Sequence, residues 1–191
     1  MLIGQLVTVN GARLSKRAGN IIELRDLVQW LGRDAVRYSL ARYPADSPIT
    51  LDPDLLTKRT NDNPVFYVQY AHARTCNVTR LAVEDGVRMS DGFEPALLAH
   101  ESESVLLGVL GQFPSVVARA AQLREPHRVA RYLETLAGAY HKWYDECRVR
   151  PQGADERVTD LHRTRLWVNE ATRTVLARGL DLLGVGAPER M

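Results

Sequence analysis

The chain has 191 residues, with 25 Lys and Arg against 23 Asp and Glu, a formal net charge of +2 and 45% hydrophobic residues. That apolar content excludes a disordered tail and suits one large domain or a small appendage of a larger protein; the near-neutral sum excludes binding to nucleic acid by bulk charge alone. Two cysteines far apart, Cys76 and Cys147, have no metal-ligand neighbour at short spacing, which argues against a zinc site or a disulfide framework. Along the chain, Leu2 to Val9 is apolar and β-branched and ends at Asn10-Gly11, the only convincing strand running into a turn. Gly11 to Asn20 follows as a basic loop bracketed by glycines, in which Lys16 and Arg17 bring fixed positive charge and Ser15 a hydroxyl. Such a loop could close over a nucleotide and stabilise charge developing on phosphorus, and it could equally be a solvated connection.

Glu23 to Leu31 repeats apolar residues at helical spacing and stops at Gly32; Arg33 to Ala41 is a second short helix closed before Pro44. Pro44 to Pro53 is a connector in which Ile49-Thr50-Leu51 is extended. From Pro53 onward the pattern is helical. A stretch from Leu55 to Leu81 has Pro64 starting or kinking a helix, and a loop covers residues 83–91. A third long helix from Glu94 to Leu123 breaks at Pro114. Pro126 opens the next, with Val129, Leu133, Leu136, Tyr140, Tyr144 and Cys147 at three- and four-residue steps; the last runs from Arg157 to Leu183 and ends at Gly184. Four or five helices with short connectors predict a mainly α fold, an antiparallel helical bundle preceded by a short strand-loop-helix segment. No stretch approaches the length of a membrane span, and the N-terminus lacks the charged head and cleavage site of a signal peptide, so the cytoplasm is the expected location.

Charge is uneven. Acids dominate from Glu84 to Glu103, whereas Arg13 to Arg42 and Arg119 to Arg131 are rich in arginine, a distribution that suits an RNA-facing surface with a solvated back. Lys16 is the one residue whose chemistry alone suggests transition-state stabilisation, because an ammonium on a flexible stem can follow a moving phosphate. No Walker-type glycine pattern, His-Glu metal spacing or carboxylate pair suited to magnesium accompanies it, so a complete active site cannot be assembled. His72, His100, His127, His141 and His162 read as surface or packing residues. In residues 139–148, Tyr140, Trp143, Tyr144 and Cys147 share a helical face with the spacing of a core, while His141, Asp145 and Arg148 fall beside it, where a partner could touch them. Aromatic planes and guanidiniums are what a splayed RNA loop needs; packing suits Trp143 best, whereas Tyr144 and Arg148 could serve either end.

Several strings resemble one family. Arg13-Leu14-Ser15-Lys16-Arg17 resembles the second signature loop of class I aminoacyl-tRNA synthetases, usually Lys-Met-Ser-Lys-Ser, and Arg33-Asp34-Ala35-Val36-Arg37-Tyr38 resembles the Asp-Ala-Leu-Arg stretch that follows it. The run from Asn61 to Arg74, the segments 113–117 and 125–128 and the ending Gly184 to Met191 resemble arginyl-tRNA synthetases in particular. The resemblance covers essentially the whole chain. It implies the end of a catalytic domain over residues 1–52 and an all-helical anticodon-binding domain over residues 53–191. By the family's mechanism, arginine attacks the α-phosphate of ATP, supplied with Mg2+, to give arginyl-adenylate, and the arginyl group passes to the terminal ribose of its tRNA. Lys16 matches the second lysine of the motif and would be catalytic, with Arg13, Ser15 and Arg17 beside it on ATP. Arg13 and Arg17 depart from the motif's lysine and serine, keeping or adding positive charge.

For tRNA contacts the resemblance points to Tyr67, Tyr70, Arg74, Tyr144, Arg148, Glu189, Arg190 and Met191. It implies no metal site, no tightly bound cofactor, no membrane and a monomer. The His-Ile-Gly-His signature, nucleotide-binding sheet and arginine pocket lie upstream in the family and have no counterpart here, so the polypeptide is not expected to charge tRNA unaided. It is read as a fragment, since Met1 sits where the family's chain continues, with a stand-alone non-catalytic tRNA-binding module as the alternative. A bundle serving only protein contacts is the third possibility.

Overall fold

The computed structural model describes residues 4–10, 12–13, 22–89, 92–153 and 155–191. Arg13 is described as backbone; Ser15, Lys16 and Arg17 lie outside the described residues.

Among the described residues the first element is β1 (Val7–Val9), followed by β2 (Ala12–Arg13). β1 pairs antiparallel with β2 and parallel with β3 (Ile49–Leu51), in the order β2-β1-β3. The expectation of a single strand is therefore corrected. Ile49 and Leu51 are buried and Thr50 between them is exposed, a period-two signal too short to read without its partner. Helix α1 (Leu24–Leu31) starts from Glu23, whose backbone N–H donates to Asp26 Oδ2 at 2.8 Å, and ends at Gly32; α2 (Arg33–Ala41) follows at once. Val9, Leu27, Val36, Ile49, Leu51 and Leu56 bury one another as a small cluster, while Ala35 and Tyr38 of α2 enter the main core. One helix thus belongs to both.

The stretch read as one helix after Pro53 is two. In α3 (Pro53–Leu56) the Asp52 carboxylate caps the Leu55 amide, and α4 (Pro64–Glu84) begins with Asn63 capping Phe66. Asn63 Nδ2 also donates to the Leu56 and Lys58 carbonyls, both at 2.9 Å, so the connector is tied down and Pro64 opens a helix instead of kinking one. Helix α4 extends to Glu84, into the expected loop. The long helix expected from Glu94 begins only at α5 (Glu101–Gly111), after a 3-10 turn at Pro95–Leu97. It breaks at Gln112, and Pro114 lies in the first turn of α6 (Phe113–Leu123), where a missing N–H breaks no bond. Helices α7 (His127–Glu146) and α8 (Asp160–Leu182) complete the bundle.

Helix α8 runs antiparallel to both α4 and α7. Its Asn169 reaches Thr75 of α4 and Tyr140 of α7, while Gly179, further along α8, meets Leu133, earlier on α7. The mainly helical bundle is borne out, with Trp143, Tyr140, Leu133 and Leu136 fully buried at its centre. Burying each leucine there contributes about 1.5–3 kcal/mol. The expectation that no stretch reaches membrane-spanning length is corrected: residues 101–123 have that length and a mean hydropathy of 1.4. In the fold they form α5 and α6, which both lie against α7.

Candidate nucleic-acid interface

Phe66, Tyr70 and Arg74 follow one another at four-residue steps on α4 and so share a face. The Phe66 and Tyr70 rings stack with centroids 5.8 Å apart and planes 6° from parallel. The Arg74 guanidinium carbon lies 4.9 Å from the Tyr70 ring centroid and 4.8 Å from that of Tyr144 on α7. Four planar groups thus form a ladder across the α4–α7 seam. Arg74 donates to Tyr70 Oη at 2.9 Å and to His141 Nδ1 at 3.1 Å. Accepting that bond leaves Nδ1 bare and puts the imidazole proton on Nε2. Burial, and then the charge of Arg74, push the His141 pKa down to about 4. The ring is neutral at physiological pH, and the positive charge at this point is that of Arg74 alone.

The ladder borders a cavity of about 810 Å3. Tyr70, Arg74, Asn77 and Arg80 line it from α4, Tyr144 from α7, and Glu189, Arg190 and Met191 from the segment after α8. That segment is a strap held by side chains from far away in sequence. Arg37 donates to the Leu183 carbonyl at 3.1 Å and Arg33 to the Gly184 carbonyl at 3.2 Å. Asp34 Oδ2 accepts from the Gly186 amide and from Gln69 Nε2, both at 3.0 Å, and Gln69 Nε2 also donates to the Gly186 carbonyl at 2.9 Å. His72 Nδ1 donates to the Pro188 carbonyl at 2.9 Å. Both glycines are required. Gly184 has φ +66°, and a Cβ there would stand 2.5 Å from the Arg37 guanidinium; one on Gly186 would stand 2.9 Å from Asp34 Oδ2. Behind α4, Asn169 accepts from Tyr140 Oη at 2.9 Å and donates to the Thr75 carbonyl at 3.1 Å and to Thr79 Oγ1 at 2.9 Å.

Residues 68–191 match the model of the DALR anticodon-binding domain. The chain belongs to that family. It is 67% identical over 195 residues to the arginine–tRNA ligase of Pseudarthrobacter chlorophenolicus and 69% identical over 191 residues to that of Paenarthrobacter aurescens. All of this chain is covered in both comparisons, against 35% and 34% of those relatives, so the chain spans about a third of their length. Among solved structures, the putative arginyl-tRNA synthetase of Campylobacter jejuni matches 97% of this chain with 39% of its own, at a TM-score of 0.78 and 26% identity. The arginyl-tRNA synthetase of Thermus thermophilus also matches 97% of this chain, with 34% of its own, at a TM-score of 0.70 and 25% identity.

In this DALR domain the fold brings Tyr70, Arg74, Tyr144, Glu189, Arg190 and Met191 to one cavity. Tyr67 sits behind it, its ring 5.1 Å from that of His141 and its phenol pushed up in pKa by burial. Arg148 lies past the end of α7 and outside the cavity, its carbonyl accepting from Arg165 at 3.1 Å. Trp143 is core, as its spacing implied. Tyr144 departs from the face on which the sequence set it: Tyr140, Trp143 and Cys147 are buried, whereas Tyr144 is 40% exposed. Burial raises the pKa of both thiols, Cys76 and Cys147, as suits inert side chains. Asn77 and Arg80 were not foreseen, although the steps 70, 74, 77 and 80 along one helix carried the signal. The cavity offers stacking planes, a guanidinium held away from carboxylates, and amide and carboxylate groups at its rim, the chemistry by which unstacked bases are bound.

Proposed function

We propose that this chain is the tRNA-reading end of an arginine–tRNA ligase, with the anticodon loop of the tRNA entering the cavity between α4, α7 and the strap. The observation that carries the reading is Arg74, held between the Tyr70 and Tyr144 rings with an imidazole as its third partner. A base stacked on the exposed side of Tyr144 extends the ladder, and the uncompensated guanidinium attracts the neighbouring phosphate. Stacking of this kind contributes about 1–3 kcal/mol per base. The high identity to arginine–tRNA ligases supports the choice of tRNA. Binding of this chain to an arginine tRNA transcript, and to the same transcript with its anticodon loop replaced, tests it. Tyr144→Ala is expected to raise the Kd for the first by about tenfold and to abolish the difference between the two. Equal affinity of the unaltered chain for both transcripts would overturn the reading.

In the same proposal residues 1–52 close the catalytic domain of the longer enzyme, residues 53–191 form the anticodon-binding domain, and Lys16, with Arg13, Ser15 and Arg17, steadies the phosphates of ATP while arginine attacks its α-phosphate. Support comes from the order of the loop and the helix pair behind it, and from the separate small cluster that the first segment buries. Among the described residues no group of three His, Cys, Asp or Glu side chains is disposed to hold a metal ion, and Mg2+ in this reading arrives bound to ATP. Lys16→Ala in an enzyme that contains this segment is expected to slow arginine-dependent ATP–pyrophosphate exchange about 100-fold, and an unchanged rate removes the role.

A further inference from the structure

The arginine-rich stretch of residues 119–131 has no part in the cavity at the end of α7. It lines a second groove, of about 720 Å3, between α6 and the start of α7, with Arg119, His127, Arg128 and Arg131 on its walls and Ser115 at its edge. Glu125 neutralises Arg128 through an ion pair. Arg119 donates only to the uncharged Gln122 side chain, at 3.3 Å, and the exposed Arg131 guanidinium makes no bond among the described residues. Two full positive charges therefore remain in the groove.

The groove does not end abruptly. At about 100° per residue, positions 128, 131, 135, 138 and 142 of α7 fall in one sector about 80° wide. They are Arg, Arg, Thr, Gly and Lys, without a carboxylate before Asp145, and Arg128, Arg131, Thr135 and Lys142 are all exposed. From Arg131 to Lys142 the helix rises about 17 Å, and Lys142 stands two residues from Tyr144. A single rigid helix carries cations at its start, a bare cationic stripe along its length and the base cavity at its end.

We propose that the groove and stripe form a phosphate track, which takes the sugar–phosphate backbone of the same RNA whose bases enter the cavity. The track rests on the anticodon reading above. Its lining favours a backbone over a base edge. Guanidiniums and an ammonium are donors only, which suits phosphate oxygens, whereas reading a base edge calls for acceptors and stacking planes as well. Contacts of this kind position an RNA without reading its sequence and make binding steeply salt-dependent.

The test measures the Kd of this chain for the two transcripts, with natural and replaced anticodon loops, between about 50 and about 200 mM salt. The variants are Tyr144→Ala and the triple variant Arg119→Gln, Arg131→Gln, Lys142→Gln. The three positions are exposed, and thermal unfolding checks that the triple variant stays folded. The triple variant is expected to flatten the slope of log K against log salt by about 2, to weaken both transcripts by a similar factor of about ten, and to leave their ratio unchanged. Arg119→Lys with Arg131→Lys is expected to keep the slope. An unchanged slope in the triple variant, or a loss confined to the arginine anticodon, overturns the track. If Tyr144→Ala abolishes discrimination while the triple variant keeps its slope, the track falls and the anticodon reading stands. If Tyr144→Ala leaves discrimination intact, the anticodon reading falls whatever the slope. Failure of the unaltered chain to bind either transcript overturns both.

Discussion

Two arginines meet α7 at different heights and are held in opposite ways. Arg42, just after α2, forms a two-point ion pair with Glu134, at 2.6 Å and 3.0 Å, and Tyr38 shares its O–H between Glu134 and the Ala130 carbonyl. Burial first, and then the Glu134 charge, push the Tyr38 phenol far above its ordinary pKa. Arg74 of α4 meets no carboxylate; two rings, a phenol oxygen and a neutral imidazole hold it. At the first seam the charge is cancelled within the protein, and at the second it is kept. The first arrangement fixes α2 against the bundle, and the second leaves a cation for a ligand to meet.

The comparison can be pressed hardest where cancellation is most complete. Arg165 of α8 donates to Glu103 at 2.7 Å; the Glu103 carboxylate is fully buried, and its other oxygen accepts from the His100 amide at 2.8 Å. Arg165→Met strands that carboxylate and is expected to cost about 3–5 kcal/mol in urea unfolding, whereas a loss below about 1 kcal/mol would contradict the account. The two seams are then set against each other. Arg42→Met is expected to lose about 2–3 kcal/mol of stability with tRNA affinity unchanged, and Arg74→Met to lose about 1 kcal/mol or less while raising the Kd for arginine tRNA about tenfold. A variant at Arg42 that weakened RNA as much as one at Arg74 would erase the distinction.

The smallest effect concerns the imidazole. Because the folded pKa of His141, about 4, lies below the ordinary value of 6.5, the unfolded chain binds more protons in between. Its contribution to stability is complete above about pH 6.5 and is lost as pH falls toward 4. The ring is partly exposed, so about 1 kcal/mol is expected, seen as a Tm that falls over that range and falls less in His141→Asn.

What the residues disclose without coordinates depends on how local the signal is. The helix from Leu24 to Leu31 and the one opened by Pro126 are legible because cap, apolar period and stop all lie within the element. The strand at Ile49–Leu51 is not, since its pairing with β1 is non-local and only three residues long. Tyr140 and Tyr144 look alike in the string, yet the four-residue step turns the second about 40° off the buried face, enough to reach the cavity. The ladder of Phe66, Tyr70 and Arg74 was partly visible as a four-residue repeat. The strap's anchors were not, because they are side-chain bonds to backbone atoms on the opposite side of the sequence, and backbone atoms leave no trace in residue identity.

Those anchors also set an order of assembly. The bond from the Gly186 amide to Asp34 spans 152 positions, and contacts so distant form late because a long loop must close before any return in energy. Helices α4, α7 and α8 can be in place, with Trp143 buried between them, while the strap still moves freely. A newly made molecule is then a folded bundle first and a receptor only afterwards.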